Sequence, residues 1–292
     1  MHILKFKLKD YLHLARLHRP VGIYLLFLPC LWGVLAGYLT LGHIIWGNLF
    51  FYSILFFIGS ALMRSAGCVI NDYFDRDFDK SVARTKDRPI ATGRISPKQA
   101  LYFFAFLCLL SSLILFFLPP IAVLISLFSV IPVVTYPLMK RITYWPQIFL
   151  GLIFNIGIII GYVTITQNFE TSILWLYAAG LCHTVGYDTI YAFQDIEDDM
   201  KIGVKSSAQR ISAYPKLAVS FFYGLVCMCF GIFLYAKNIS PIFTSILIIQ
   251  LCWHIYKWVP ESKQSSLTYF KNANHTNIVI VMIFVAAMIT MY

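Results

Sequence analysis

Acidic residues are scarce in this chain and are gathered into two short stretches. Of the 13 Asp and Glu residues, ten lie within residues 72–87 or 188–199. Like charges this close repel one another and raise one another's pKa unless a cation neutralises them. Hard carboxylate oxygens around a site that also takes phosphate are the usual way to hold Mg²⁺. The two stretches therefore predict magnesium-dependent phosphate chemistry, and the plainer alternative is a pair of solvated acidic loops.

The spacing of the acids fits helix faces. If the helix that precedes the first stretch continues through it, positions i, i+3 and i+7 of one face hold Asp72, Asp75 and Asp79. The second set would share one face of a single helix at i, i+7 and i+11: Asp188, Asp195 and Asp199. We expect each set to present one edge to a common site.

Basic residues follow the acids along the chain. Arg84 and Arg88 come just after the first stretch, and Lys205 comes just after the second. Lys140 and Arg141 follow another apolar segment. Carboxylates, Mg²⁺ and convergent Arg and Lys together form the arrangement that clamps a diphosphate. We predict that diphosphate is bound by four of these cations, while the alternative is that they only anchor the chain at a membrane surface: Arg84, Arg88, Lys140 and Lys205.

The elements that position these residues must be membrane helices. The chain has 292 residues, of which 59% are hydrophobic and 12% charged. A soluble domain cannot hide so much apolar surface. Segments of about 20 mostly apolar residues predict spanning helices rather than barrel strands. We expect an all-α polytopic membrane protein with about nine spans around a cavity that opens to the cytoplasm: 21–40, 45–69, 99–118, 120–137, 146–166, 172–193, 215–236, 240–258 and 274–291.

The net charge of +10 is explained by topology. With the N-terminus in the cytoplasm, 21 of the 23 Lys and Arg residues fall in the inside segments of the nine-span scheme. This asymmetry follows the positive-inside rule, so it indicates contact with the lipid bilayer and no nucleic-acid partner. Both acidic stretches then open on the cytoplasmic side. We expect one intramembrane domain over residues 1–292, with acidic loops at 71–97 and 194–214.

Several motifs give the sequence a family resemblance. Residues 71–79 (Asn-Asp-Tyr-Phe-Asp-Arg-Asp-Phe-Asp) resemble the Asn-Asp-x-x-Asp-x-x-x-Asp motif of UbiA-type intramembrane prenyltransferases. Residues 191–199, followed by 201–206, are similar to the second aspartate motif of that family, and residues 136–141 are similar to its Tyr-x-x-x-Lys element. The likeness runs over residues 16–277. The stretch at residues 16–22 matches only loosely, and we assign it no role.

The resemblance implies roles for the matching residues. Asp72, Asp75 and Asp79 would hold one Mg²⁺, with Asn71 assisting. A second Mg²⁺ would be held or positioned by a set from the second motif: Asp195, Asp199 and nearby Asp198.

The third element implies that two cations reach into the site. Lys140 would point toward the diphosphate, and we place Arg141 in the catalytic and acceptor-binding set. Asp75 and Asp195 complete the predicted catalytic residues, and Asp195 or the diphosphate itself would take the proton that the acceptor ring loses.

Arg64 is the one basic residue inside a predicted span. It precedes Asn71 by seven residues, which places it on the same helix face about 10 Å deeper. An intramembrane arginine is a functional candidate by default. It would pair with a carboxylate of the acceptor, or serve as a structural counter-ion for Asp188 or another buried acid; the sequence leaves both open.

The residues that flank the motifs narrow the choice of substrate. Residues 63–68, the pairs 84–85 and 88–89, and residues 203–206 are similar to the family members that prenylate 4-hydroxybenzoate for ubiquinone. The expected donor is a polyprenyl diphosphate, the expected acceptor is 4-hydroxybenzoate (ortho to its hydroxyl), and the expected cofactor is Mg²⁺. Relatives acting on a naphthoate, haem or chlorin remain alternatives, as does a secondary transporter.

The N-terminal sequence bears on the membrane in which the protein lies. Residues 1–19 show neither a cleavable signal nor the Ser-rich, acid-poor character of a transit peptide. We therefore expect the bacterial inner membrane, with the site facing the cytoplasm, in preference to the mitochondrial inner membrane.

Overall fold

The computed structural model is helical throughout the part of the chain that it describes, which is the backbone of residues 2–82 and 84–291; the side chains at 2–7, 140, 198, 202 and 291 lie outside that description. Its helices, in chain order, are α1 (His2–Leu14), α2 (Val21–Leu41), α3 (Trp46–Asp79), α4 (Pro97–Ser112), α5 (Pro120–Ile142), α6 (Pro146–Thr166), α7 (Ile173–Ala192), α8 (Ile196–Ile202), α9 (Ser207–Ile211), α10 (Pro215–Ala236), α11 (Phe243–Lys257), α12 (Lys263–Lys271) and α13 (Ala273–Met291). A 3₁₀ turn (Leu113–Phe117) extends α4.

Local sequence accounts for many of the helix ends. Proline is the first residue of α4, α5, α6 and α10, a position where its missing N–H costs nothing. Ser96 caps α4 in a reciprocal capping box with Gln99. Gly42 ends α2 in the left-handed conformation with φ +71°. The break predicted between the third and fourth apolar segments is confirmed, because α5 begins at Pro120.

Each of the nine predicted spans contains a helix, but the count of nine crossings remains a prediction. Within the described chain, seven helical stretches are long and apolar enough to cross a membrane, and α7 and α11 are not among them. α11 has only 15 residues, and α7 carries the polar residues His183 and Asp188. The predicted fold class, an all-α polytopic membrane protein, is confirmed.

α2 and α6 form the centre of the bundle. A Cβ atom added at Gly33 would overlap the carbonyl oxygen of Ile158, and one added at Gly161 would overlap the carbonyl oxygen of Cys30. The two backbones can approach this closely only because both positions lack side chains, as is common between membrane helices. Trp32, fully buried on α2, donates from Nε1 to the carbonyl of Asn277 at 3.0 Å and so ties α13 to the same centre.

α4 and α5 lie at the periphery and expose large apolar side chains. Phe116 is 84% exposed, Tyr102 75% and Leu109 65% on the α4 side, and Phe128 and Ile131 are exposed on α5. An apolar surface this extensive needs an apolar environment. It therefore faces lipid, which agrees with the integral membrane class.

The acids at residues 72–79 lie on one continuous helix, whereas the second acidic stretch is divided between two helices. α3 runs 34 residues and ends at Asp79, so the predicted continuation of this helix through Asp72 and Asp75 is confirmed. α7 instead ends at Ala192, a turn follows, and Asp199 lies on the separate helix α8. The prediction that Asp188, Asp195 and Asp199 share one face of a single helix is wrong, because the chain turns between the first acid and the other two.

The close approach of α2 and α6 gives a stability prediction. Gly33→Ala should destabilise the protein by about 1–3 kcal/mol, since overpacked side chains force backbone shifts. Gly224→Ala on α10 is the matched control, because nothing lies within 4 Å of a Cβ there. Thermal unfolding of the detergent-solubilised variants measures the difference. Equal thermal midpoints for the two variants would contradict the tight α2–α6 contact.

Candidate active site

A cavity of about 820 Å³ lies between the N-terminal segment and helices α2, α3, α5, α6 and α7. Its polar end is lined by charged and amide side chains from three parts of the chain: Arg16, Asn71, Asp72, Arg84 and Arg88. Its other end is lined by apolar side chains of the α4–α5 region: Ile114, Leu115, Leu118, Leu127 and Val130. The cavity therefore joins an ionic mouth to an apolar interior that lies beside the lipid-facing helices.

Asp72 is the buried anion at the ionic mouth. Its side chain is only 1% exposed, and Arg16 Nη2 lies 2.8 Å from Oδ1 and 3.1 Å from Oδ2. Arg88 Nη1 lies 3.0 Å from the same Oδ1. A buried carboxylate is stable only when cations and hydrogen bonds compensate its lost hydration. Two guanidinium groups from distant parts of the chain supply that compensation.

The other acids of the first motif lie on successive turns of α3. Asp79 is buried, and its Oδ2 and Oδ1 accept hydrogen bonds from Arg88 Nη1 at 2.8 and 2.9 Å. Asp75 accepts a hydrogen bond from Asn71 Nδ2 at 2.9 Å, so the two predicted ligands are already paired. Asp77, the extra acid of the motif, points away from this group, is 70% exposed and pairs with Lys80.

Arg84 joins the first acidic stretch to the second. Its Nη2 lies 2.5 Å from Asp195 Oδ2, and its Nη1 donates to the hydroxyl of Tyr191. The guanidinium also lies over the Tyr191 ring, 5.4 Å from the centroid. Burial alone lowers the pKa of Arg84, but Tyr191 and Asp195 outweigh it and raise the pKa above its ordinary value. The side chain therefore remains a cation between the two stretches.

The loop that carries Arg84 and Arg88 is held in place by packing. Ile90 and Ile95 are buried in a small cluster with Leu14 from the N-terminal helix and Ala100 from α4. The Ile95 N–H donates to the Pro89 carbonyl at 3.0 Å. These contacts position the described part of the loop, residues 80–82 and 84–96, over the ends of α3 and α7.

Arg64 lies deeper in the same cavity. Its guanidinium carbon is 5.7 Å from the centroid of the Phe154 ring. A Cβ atom added at Gly22 would overlap Arg64 Nε, so the glycine makes room for the guanidinium. Asp188 lines the same cavity. The predicted intramembrane cation thus faces the space that a substrate would occupy.

Two predicted cations lie away from the cavity lining. Arg141 donates from Nη2 to the Phe74 carbonyl at 2.9 Å and covers the Phe78 ring at 5.0 Å. Lys205 donates from Nζ to the Ile142 carbonyl at 3.1 Å, at the end of α5. Lys140 and Asp198 fall outside the described side chains. The predicted roles of these four residues remain predictions.

The predicted magnesium site is not preformed by carboxylates alone. Across the described side chains, no group of three or more His, Cys, Asp or Glu residues is placed to hold one metal ion. The described acids already have partners: Asp72, Asp79 and Asp195 pair with arginines, and Asp75 pairs with Asn71. The donors do fit Mg²⁺ in kind, since they are hard carboxylate and amide oxygens.

Sequence reasoning missed Arg16 and Tyr191. Arg16 contacts an acid 56 positions along the chain, and nothing in its local sequence reports so distant a partner. Tyr191 carried a usable signal, because it precedes Asp195 by four residues at the end of an apolar helix. Its hydroxyl bonds to Arg84, and its ring helps line the cavity.

Residues 26–289 match the model of the UbiA prenyltransferase family. The chain belongs to that family. Membership confirms the resemblance carried by the two aspartate motifs and the enzyme class that it implied, a prenyltransferase. It also decides against the secondary-transporter alternative.

Relatives of this prenyltransferase are found in bacteria and in mitochondria. The chain is 39% identical over 290 residues to the 4-hydroxybenzoate octaprenyltransferase of Dechloromonas aromatica, covering 98% of this chain and 95% of that protein. It is 46% identical over 220 residues to the mitochondrial 4-hydroxybenzoate polyprenyltransferase of Caenorhabditis elegans. That match covers 74% of this chain but only 60% of the nematode protein.

Solved structures share the fold. A UbiA homolog from Aeropyrum pernix K1 superimposes with a TM-score of 0.71 at 22% identity, over 91% of this chain and 97% of that one. A homolog from Archaeoglobus fulgidus, bound to GPP and Mg²⁺, gives a TM-score of 0.65 at 17% identity, over 96% and 99%. At these identities the likeness establishes the shared fold.

The link between the two acidic stretches is testable by a double-mutant cycle. Arg84→Gln and Asp195→Asn should lose less stability together than the sum of their separate losses, with a coupling of about 0.5–3 kcal/mol. The matched control is the exposed pair Lys263–Glu197, whose side chains are 58% and 65% exposed. That pair should couple by about 0–1 kcal/mol. Thermal unfolding in metal-free detergent solution measures both cycles, and equal couplings would contradict the partly buried bridge.

Proposed function

We propose that this prenyltransferase transfers a polyprenyl group from polyprenyl diphosphate to the ring of 4-hydroxybenzoate, ortho to the hydroxyl, as a step of ubiquinone biosynthesis. One observation carries the proposal: a single cavity joins an arginine- and aspartate-lined mouth to an apolar interior. An amphiphilic donor with a charged head and a long hydrocarbon tail matches that division. The names of the relatives, including one covered over 95% of its length, support the acceptor.

The two aspartate motifs would hold Mg²⁺. Asp72, Asp75 and Asp79, with Asn71, would take one ion, and Asp195 and Asp199, with Asp198, would take or position a second. The A. fulgidus homolog bound to GPP and Mg²⁺ supports this use of the fold. Bound Mg²⁺ would neutralise negative charge that develops on the departing diphosphate.

The arginines of the mouth are suited to bind the diphosphate. Arg88 bridges Asp72 and Asp79, and Arg84 bridges Tyr191 and Asp195. With Mg²⁺ on the carboxylates, both guanidinium groups would be available to phosphate oxygens, which they match as bidentate donors. Lys140 and Lys205 are proposed to add charge from neighbouring loops.

The chemistry then follows from charge stabilisation and exclusion of water. Cleavage of the allylic C–O bond sends the electron pair to the diphosphate, whose charge the arginines stabilise in a site of low dielectric. A ring carbon of the acceptor attacks the allyl cation and forms the new C–C bond. Loss of the ring proton to Asp195 or to diphosphate restores aromaticity. The surrounding membrane helices keep water from the cation.

Arg64 is proposed to bind the acceptor's carboxylate. It lines the cavity two turns before Asp72 on α3, and the absence of a side chain at Gly22 leaves room for its guanidinium group there. A bidentate guanidinium–carboxylate pair would orient the acceptor ring with its ortho carbon toward the mouth.

The protein is an integral membrane protein, and we propose that it lies in a bacterial inner membrane with the mouth toward the cytoplasm. The near-complete match to a bacterial relative supports the compartment. The concentration of Lys and Arg in the segments on the mouth side supports the orientation.

The proposed reaction predicts the behaviour of single acid variants. Purified protein should form prenylated 4-hydroxybenzoate from polyprenyl diphosphate only when Mg²⁺ is present. Asp75→Ala and Asp195→Ala should each abolish product, because the diphosphate charge is no longer balanced. Asp77→Ala, which removes an exposed acid of the same motif, is the matched control and should retain activity.

Product detected by chromatography decides between the outcomes. Full activity in Asp75→Ala or Asp195→Ala would overturn the assignment of the site. Turnover of a naphthoate, a haem or a chlorin in place of 4-hydroxybenzoate would overturn the acceptor and favour a sibling reaction. A series of donors of different lengths in the same assay reports the preferred tail.

The role of Arg64 predicts a selective loss. Arg64→Gln should raise the KM for 4-hydroxybenzoate about ten- to a hundredfold, because a charge-assisted hydrogen bond of about 1.5–3 kcal/mol is lost. The KM for 4-hydroxybenzamide, which lacks the carboxylate, should change little in the same variant. Comparing two acceptors on one protein removes any effect on folding. An equal loss for both acceptors would identify Arg64 as a structural counter-ion instead.

A further inference from the structure

The chain between α1 and α2 adopts an uncommon backbone conformation at Arg16. Its φ is +56°, in the left-handed region that residues with a Cβ atom rarely adopt. Such a conformation persists only where surrounding contacts enforce it, and it often marks a functional position. Glycine would adopt it without strain, so an arginine at this position needs an explanation.

Several contacts hold this turn. The Ala15 N–H donates to the Tyr11 carbonyl at 2.9 Å, and the Arg19 N–H donates to the Arg16 carbonyl at 2.9 Å. The rings of His13 and His18 stack across the turn with centroids 4.3 Å apart. The turn is therefore a packed structure that points one long side chain in a fixed direction.

That direction leads to the buried acid of the first motif. Arg16 reaches both oxygens of Asp72, yet its own side chain remains 22% exposed and lines the cavity. Its partner already has a second cation, since Arg88 lies 3.0 Å from the same carboxylate. Arg88 also pairs with Asp79, whereas Arg16 pairs with Asp72, so among the described ion pairs the charge of the Arg16 guanidinium is balanced by that one carboxylate.

We propose that Arg16 is a diphosphate-binding residue that couples the metal ion to the substrate. In the free protein its guanidinium pairs with Asp72. A divalent cation on Asp72 takes over that carboxylate's charge and leaves the guanidinium uncompensated in a site of low dielectric. The diphosphate of the prenyl donor supplies the missing anion. Metal and diphosphate thus bind more tightly together than apart, as linkage requires.

This inference rests on the proposed function, because it takes the diphosphate of a prenyl donor as the anion. It adds a residue from the N-terminal segment to the two aspartate motifs and the basic loop. It also gives a reason for the strained turn, which directs the Arg16 side chain to the cavity and to Asp72.

The test measures metal binding directly. Purified full-length protein is titrated with Mn²⁺, and free Mn²⁺ is followed by electron paramagnetic resonance, with and without the uncleavable analogue geranyl thiolodiphosphate. In the wild-type protein the analogue should tighten Mn²⁺ binding at least tenfold. In Arg16→Gln this enhancement should shrink about tenfold, while Mn²⁺ alone binds as tightly as before or more tightly because a competing cation is gone.

Two further variants separate charge from backbone. Arg16→Lys keeps a cation and should restore part of the enhancement. Arg16→Gly removes the charge and relieves the strained φ, so it should unfold at or above the temperature of Arg16→Gln while losing the same enhancement. Lys216→Gln is the control, because Lys216 donates to the Tyr256 carbonyl and is not among the residues that line the cavity.

The outcomes distinguish this inference from the proposed function. An unchanged enhancement in Arg16→Gln, or weaker binding of Mn²⁺ alone, would overturn the role of Arg16. Recovery of the enhancement in Arg16→Gly would also overturn it, since the backbone and not the guanidinium would then be responsible. If the wild-type protein shows the enhancement but does not prenylate 4-hydroxybenzoate, the proposed acceptor fails and the coupling stands.

Discussion

The burial of Asp72 is the constraint on which the site depends. A carboxylate that is 1% exposed near the end of a membrane helix must be paired, since desolvation of an unpaired charge costs more than one hydrogen bond returns. Its partners come from the N-terminal turn, through Arg16, and from the loop after α3, through Arg88. One buried anion thereby gathers three segments of the chain, and Arg84 extends the same network to Asp195. The ionic mouth therefore forms because the buried carboxylate of Asp72 requires cationic partners.

The rest of the bundle has a closely packed side and a lipid-facing side around that mouth. On the closely packed side, α2 and α6 meet backbone to backbone at Gly33 and Gly161. On the other side, α4 and α5 contribute apolar side chains to the cavity and expose many others toward lipid. A charged head group can therefore be fixed at the mouth while a hydrocarbon tail extends between helices that adjoin the bilayer. Membership of the UbiA prenyltransferase family agrees with this division.

Prediction from sequence succeeded where local pattern decides structure. Apolar length predicted a helix in each of nine segments, and proline marked the starts of α4, α5, α6 and α10. The i, i+3, i+7 spacing correctly placed Asp72, Asp75 and Asp79 on one helix. The same reasoning failed for Asp188, Asp195 and Asp199, because periodicity does not reveal that the chain turns after Ala192. The predicted binding of a metal by these carboxylates stays a prediction; in the described structure Asp72, Asp79 and Asp195 pair with arginines and Asp75 with Asn71.

The sequence by itself determined the class of the protein, the helices, the motifs and the kind of chemistry, since composition and short-range spacing govern all four. Only the tertiary structure decided which cation faces which acid. Arg16 and Asp72 are 56 positions apart, and Arg84 and Asp195 are 111 apart. Such pairs form because helix packing brings distant segments together and burial then selects the partners. The tertiary structure likewise placed Arg64 in the cavity and Lys205 at the end of α5, although both are basic residues near an aspartate motif.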